Sequence, residues 1–186
     1  MACLEVPADN ANTRNMSAPS LEALIPDFES AAYRHAMREL ASGVTLVTTG
    51  KGKTRSGCTA TALCSLSLEP PSLLVSLSKM SSTLARLREN GAFAVSILAA
   101  GHDDLASRFA GRGGLRGEAR FAGANWIELA TGSPLLGDAL AGIDCSVQDI
   151  IERNGHAIVI GEVKAMRRNT GPGALLHWRG RYEEII

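Results

Sequence analysis

The segment "GIDCSVQDIIERNGHAIVIGEV", residues 142–163, most restricts what this chain can become. Two apolar runs flank Asn154-Gly155, the dipeptide that best tolerates the positive φ angles of a tight hairpin turn. The pattern predicts a long antiparallel hairpin. Such a hairpin needs further strands to cover it, and the sequence supplies them. "VTLVTT" (44–49) is β-branched and apolar, and "GKGK" (50–53) follows it as a turn. Over 72–78, Leu73, Val75 and Leu77 alternate with Ser72, Ser76 and Ser78, only Leu74 breaking the period of a half-buried strand. "FAVSI" (93–97) reads as another alternating strand, and "ALLHW" (174–178) as a last one.

Helical periodicity is rarer. Residues 27–41 place Phe28, Ala32, Ala36 and Leu40 on one face, with Gly43 able to end the helix. Residues 81–90 read as a Ser-capped helix with Leu84 and Leu87 inward and Gly91 beyond its end. Residues 103–111 set Leu105 and Phe109 one turn apart. "GRGGLRGEARFAG" (111–123) is too irregular for an element and reads as a mobile loop of functional length. Many short strands with few helices between them argue against a doubly wound parallel sheet. The expected fold is mainly β: an antiparallel barrel with peripheral helices.

At 186 residues the chain is long enough for one domain with a full core. Residues 1–20 are polar and Asn-rich and read as a mobile tail, leaving 21–186 as the domain. Lys plus Arg and Asp plus Glu balance at 19 each, so charge gives no reason to expect nucleic acid or an anionic membrane as partner. There is no apolar run of transmembrane length and no signal-peptide pattern at the start, so a cytoplasmic protein is expected. Cys3, Cys58, Cys64 and Cys145 form neither a C-x-x-C pair nor a zinc-spaced cluster, so reduced structural thiols and no metal site are expected.

Several motifs fail on inspection. "GKGKT" (50–54) would need a glycine at Val47 to be a phosphate loop, and "GRGG" (111–114) would need one at Arg116 to be a dinucleotide fingerprint. No G-x-S-x-G elbow is present. What remains is "CTATALCSLSLEPPSLLVSL" (58–77), an apolar stretch with small hydroxyl residues Thr59, Thr61, Ser65 and Ser67 running through it. Small side chains let a flat, polar-edged molecule approach the backbone. Immediately after it, Lys79, Ser81, Ser82 and Thr83 stand where a strand ends and a helix begins, a place where free N–H groups favour phosphate. An ordinary Ser-capped helix accounts for the same residues. Taken together, the two segments fit flavin mononucleotide (FMN): the backbone of 59–63 against the ring edge, the phosphate at 81–83.

These residues also carry a family resemblance. "CTATALCSLSLEPPSLLVSL" resembles the signature of the short-chain flavin reductases, such as the small reductase component of 4-hydroxyphenylacetate 3-monooxygenase. "AMRELASGVTLVTT", "FAVSIL", "SRFAG", "NGHAIVIGEV" and "LLHWRGRYEEI" follow in the same order, from about Tyr33 to Tyr182. The resemblance implies an FMN-binding split β-barrel of Greek-key topology, usually a homodimer. It implies hydride transfer from NADH or NADPH to FMN or FAD, with reduced flavin passed to a partner monooxygenase. Thr59, Ala60, Thr61, Ala62 and Leu63 then fall on the flavin edge, with Ser65 and Ser67 beyond them. Lys79, Ser81, Ser82 and Thr83 fall at the phosphate, and Phe109 near the rings. Arg181 and Tyr182 fall in the closing segment, where a solvated strand end is the competing reading. His156 follows Asn154-Gly155 where the family pattern is usually G-D-H. The acidic neighbour is missing, and His156 remains the candidate for nicotinamide contact or proton supply. Arg112, Arg116 and Arg120 either meet the diphosphate of the nicotinamide cofactor or are a solvated basic loop. Two other activities fit the same fold: reduction of corrinoid cobalt, and flavin binding without catalysis by a sensor or carrier.

Overall fold

In a computed structural model of the chain, residues 30–186 are described. The tail at 1–20 and Phe28 lie outside them. Helix α1 (Ser30–Arg38) forms within the expected span, but none of its side chains is buried, and Ala32, Ala36 and Leu40 are exposed. Apolar spacing specifies a helix, while burial needs a surface to pack on.

A short strand β1 (Ser42–Gly43) leads into β2 (Thr45–Thr49), which turns back as β3 (Ser56–Ala60). Strands β4 (Leu63–Leu68) and β5 (Pro71–Ser78) form the next hairpin. Helix α2 (Ser82–Asn90) starts with the Ser81 hydroxyl accepting the Thr83 N–H at 3.2 Å and ends at Gly91, whose φ is 64°. Leu84 and Leu87 are buried on its inner face, as the spacing predicts. Strand β6 (Ala92–Ile97) and α3 (Asp103–Phe109) follow, then a β7–β8 hairpin (Trp126–Glu128, Pro134–Leu136) that the sequence reading did not anticipate. Strands β9 (Ala141–Arg153) and β10 (His156–Arg168) are the long hairpin, with Asn154 at φ 48°. Strands β11 (Ala174–Trp178) and β12 (Arg181–Ile185) pair at the end of the chain.

The principal sheet has seven strands in the order β3-β2-β6-β9-β10-β5-β4, and all its pairings are antiparallel. The chain leaves β5, crosses by α2 to β6, and returns through β9 and β10 to β5's side, which is the Greek-key order expected. Strand β6 was expected to alternate. Instead Ala92, Phe93, Ala94, Val95 and Ser96 are all buried, because β6 lies mid-sheet between β2 and β9 with both faces covered.

Two apolar clusters fill the interior. One joins Leu84 and Leu87 of α2 to Val75, Phe93, Val95 and Val159. The other gathers Leu46, Leu98, Leu105, Phe109, Phe121 and Leu175. The Gly/Arg segment at 111–123, expected to be an uncommitted loop, contains a 3-10 turn (Gly117–Phe121) anchored by buried Phe121. The Arg120 guanidinium donates to the carbonyls of Leu115 at 2.9 Å and Gly57 at 3.0 Å, tying that turn to β3.

Candidate functional site

Between β3, the short link that follows it, the end of β5 and the N-cap of α2 lies a cavity of about 360 Å3. This is within the range of small-molecule sites. Its wall carries Thr59, Ala60, Thr61 and Ala62 from 58–77, Ser81 at the helix cap, Phe109 at the end of α3, and His156 at the start of β10. Sequence positions nearly 100 apart thus share one surface because β10 pairs with β5: His156 stands opposite Ser78. Cys58, Ser76, Leu77, Ser78 and Ala110 also line the cavity and had not been singled out. The serines were legible, since the β5 alternation already turned Ser76 and Ser78 away from the leucine face.

Each wall has a definite chemistry. The N–H groups of Thr61 and Ala62, in the gap between β3 and β4, donate to no backbone carbonyl among the described residues. They are therefore available to a ligand edge. Both residues are exposed. The Thr59 hydroxyl is committed elsewhere, donating to the Ala106 carbonyl at 2.6 Å and fastening α3 to β3. Phe109 is buried against Phe121 at 5.0 Å and Trp126 at 5.6 Å, which fixes its ring. Burial pushes the Cys58 thiol above its ordinary pKa, opposed by hydrogen bonding to Thr83 and Ser81 and by the charge of Arg120. Cys58 is therefore a neutral wall group and no nucleophile at neutral pH. His156 is exposed at the rim.

Other expected contacts lie outside this cavity. Leu63 packs on the first apolar cluster. Ser65 is exposed on β4, and the Ser67 hydroxyl donates to the Glu69 carbonyl at 3.1 Å, closing the β4–β5 turn. Thr83 is buried and its hydroxyl lies 3.2 Å from that of Ser56, so it faces the core. Lys79 forms an ion pair with Glu152 at 2.6 Å, and Arg88 joins the same carboxylate at 2.5 Å. Two cations hold that carboxyl below its usual range. Arg181 pairs with Glu183 at 2.5 Å, and Tyr182 packs edge-on to His177, both on the β11–β12 hairpin. Ser82 is exposed on the far side of the same helix start.

Small side chains, two open N–H donors, an aromatic wall and an adjoining helix N-terminus suit a planar heterocycle with a phosphate tail. An antiparallel barrel of this order with such a cavity defines a flavin-binding split barrel. Comparison with known proteins agrees: the family described as a flavin reductase like domain matches residues 37–185, and the chain belongs to it. It is 39% identical over 175 residues to "FMN reductase (NADH) RutF 2" of Rhizobium rhizogenes, covering 91% of this chain and 100% of that one. Among solved structures it resembles BorF, the flavin reductase component of a bacterial two-component tryptophan halogenase. That match has a TM-score of 0.78 at 32% identity and covers 84% of this chain and 98% of BorF. It also resembles the Streptomyces globisporus NADH:FAD oxidoreductase SgcE6 solved with NAD and FAD fragments. The TM-score there is 0.78 at 30% identity, over 88% of this chain and 96% of that one.

Proposed function

We propose that the chain is an NADH-dependent flavin reductase that passes reduced flavin to a separate oxygenase. The observation that carries this reading is the cavity where Thr61 and Ala62 present free N–H groups beside Phe109 and the cap of α2. A flavin held there supplies the hydride-accepting ring. The chain's own residues do the rest. Thr61 and Ala62 would donate to the ring's polar edge and favour negative charge there, at donors already fixed in place. Ala60, Ala62 and Ser76 leave room for close approach. Phe109 limits where the rings can stack, so that proximity and orientation supply most of the acceleration. Ser81 and Ser82 would hold the phosphate at the start of α2. His156 borders the open side, where nicotinamide enters. No side-chain base or nucleophile is required, which accords with a cavity whose one thiol is kept neutral.

The same reading includes a homodimer in the cytoplasm. In support, β4 is an edge strand with Leu66 and Leu68 exposed at 49% and 82%, an apolar edge that a second copy would cover. No helix among the described residues is long and apolar enough to cross a membrane.

The deciding measurement is NADH oxidation by purified protein, without FMN and then with FMN in large excess. Turnover that rises and saturates with FMN is the expected result. Reduction of a single flavin per chain, followed by arrest, would mean that flavin stays bound and a different acceptor, a corrinoid first, must be tested. No reduction of bound flavin would leave a sensor or carrier.

A further inference from the structure

A second cavity, of about 580 Å3, lies beyond the start of α2, and Ser82 lines it where Ser81 lines the first. Arg120 is on its wall with Lys53, Arg55, Arg86 and Arg116. Arg86 pairs with Glu89 at 2.7 Å and Arg55 with Glu118 at 3.4 Å. Arg120 is half-buried and makes no ion pair among the described residues. Its guanidinium is committed to backbone instead. Nε donates to the Leu115 carbonyl at 2.9 Å. Nη1 donates to the Gly57 carbonyl at 3.0 Å and, at 3.5 Å, to that of Phe109.

These bonds converge on the Phe109 ring, which lines the first cavity. Phe109 ends α3, where the last carbonyls of a helix have no partner within it. No backbone N–H donates to the Phe109 carbonyl among the described residues, so the guanidinium supplies the cap. A cation there also meets the negative end of the helix. Gly57 faces the ring so closely that an added Cβ would meet its edge at 2.7 Å. One side chain thus joins the strand against which the ring packs to the backbone that carries the ring. The residues after Arg120 complete the bracket. Phe121 and Trp126 pack on Phe109 at 5.0 and 5.6 Å, and the Trp126 indole N–H donates to the Phe121 carbonyl at 2.8 Å. A lysine at 120 would keep the charge but lacks the planar fork that spans these carbonyls.

We propose that Arg120 is a positioning residue for flavin reduction: it fixes Phe109, and through that ring the place where flavin and nicotinamide stack, rather than contacting an anion in the second cavity. The proposal rests on the flavin reductase reading above. Small misplacements of reacting rings cost far more in rate than in binding. Loss of the fork therefore lowers kcat more than it raises KM.

The test uses the full chain with Arg120→Lys and Phe109→Leu, singly and together. In Arg120→Lys, kcat with NADH and FMN should fall about tenfold or more, while the KM for NADH changes by less than about threefold. Because Arg120 acts through Phe109, the lysine should cost less than about threefold in kcat once Phe109 is leucine. An equal cost in both backgrounds, which general loss of folding would also produce, overturns the proposal. A raised KM for NADH with kcat unchanged would assign the guanidinium to an anionic group of the cofactor and overturn it too. Amide hydrogen exchange over 106–110, without flavin, reads the bracket directly. It should be about threefold or more faster in Arg120→Lys than in the wild type, and equal exchange would overturn the proposal. If the wild type reduces no flavin, the reductase reading falls, and the exchange measurement alone decides whether Arg120 holds Phe109 in place.

Discussion

Gly57 shows what a single residue decides. A Cβ built there would stand 2.7 Å from Cε1 of Phe109 and 2.9 Å from Cγ2 of Thr48, both in buried side chains. Gly57→Ala must therefore push the Phe109 ring toward the cavity or strain β3. Overpacking of this kind costs about 1–3 kcal/mol. The expected outcome is a lower urea midpoint together with a fall of about tenfold or more in kcat/KM for FMN, because the ring wall has moved. Retained kcat/KM despite lost stability would remove Phe109 from the site. Nothing local in the sequence marked Gly57, since its requirement comes from Thr48 across the β2–β3 pair and from Phe109 of α3. Thr59 through Ala62 were legible for the opposite reason: their size and position suffice to describe a backbone open to a ligand.

At the scale of elements, α2 was the most legible. Its cap, inner leucines and terminal glycine all follow from residues within one stretch, and each is found as the pattern predicts. The helix also separates two roles that the sequence ran together. Ser81 caps the backbone and lines the cavity beside β3, while Ser82 is exposed and its hydroxyl makes no hydrogen bond among those described. Ser81→Ala is expected to cost about 1 kcal/mol of stability. Ser82→Ala should change stability by less than about 0.5 kcal/mol yet weaken FMN binding about three- to tenfold. Urea denaturation and flavin fluorescence titration read the two effects separately, and unchanged FMN binding in Ser82→Ala would refute its phosphate role. Thr83 and Lys79, next to them in sequence, take no part in either cavity: one faces the core and the other is drawn to Glu152.

At the scale of the whole molecule, burial sets a pH limit. Cys145, in β9, has its thiol pushed up to about 12, first by burial and then by the neighbouring Asp144 carboxylate. An unfolded thiol titrates near 8.5. The raised value means that the folded state holds its proton where the unfolded state has lost it. This contribution is fully present below about pH 8.5 and is lost as pH climbs toward 12. The slope for one proton is at most ~1.4 kcal/mol per pH unit. Urea midpoints measured from pH 8 to 10 should fall less steeply in Cys145→Ala than in the wild type, and parallel slopes would refute the assignment.

The sequence alone determined strands β2, β5, β6, β9, β10 and β11, the hairpin turn, the capped helix and a stretch of small residues, because each depends on residues a few positions apart. Its resemblance to flavin reductases supplied the remaining expectations. Tertiary structure decided which of those residues share a surface. His156 joins the cavity beside β3 only because β10 pairs with β5, and Ser67, Thr83, Arg181 and Tyr182 lie outside it because their partners lie elsewhere. It also gathered Lys53, Arg86 and Arg116, three segments distant in the chain, around one cavity. Local spacing fixes the period and the caps, but the convergence of distant side chains depends on strand register and packing, which no short stretch encodes.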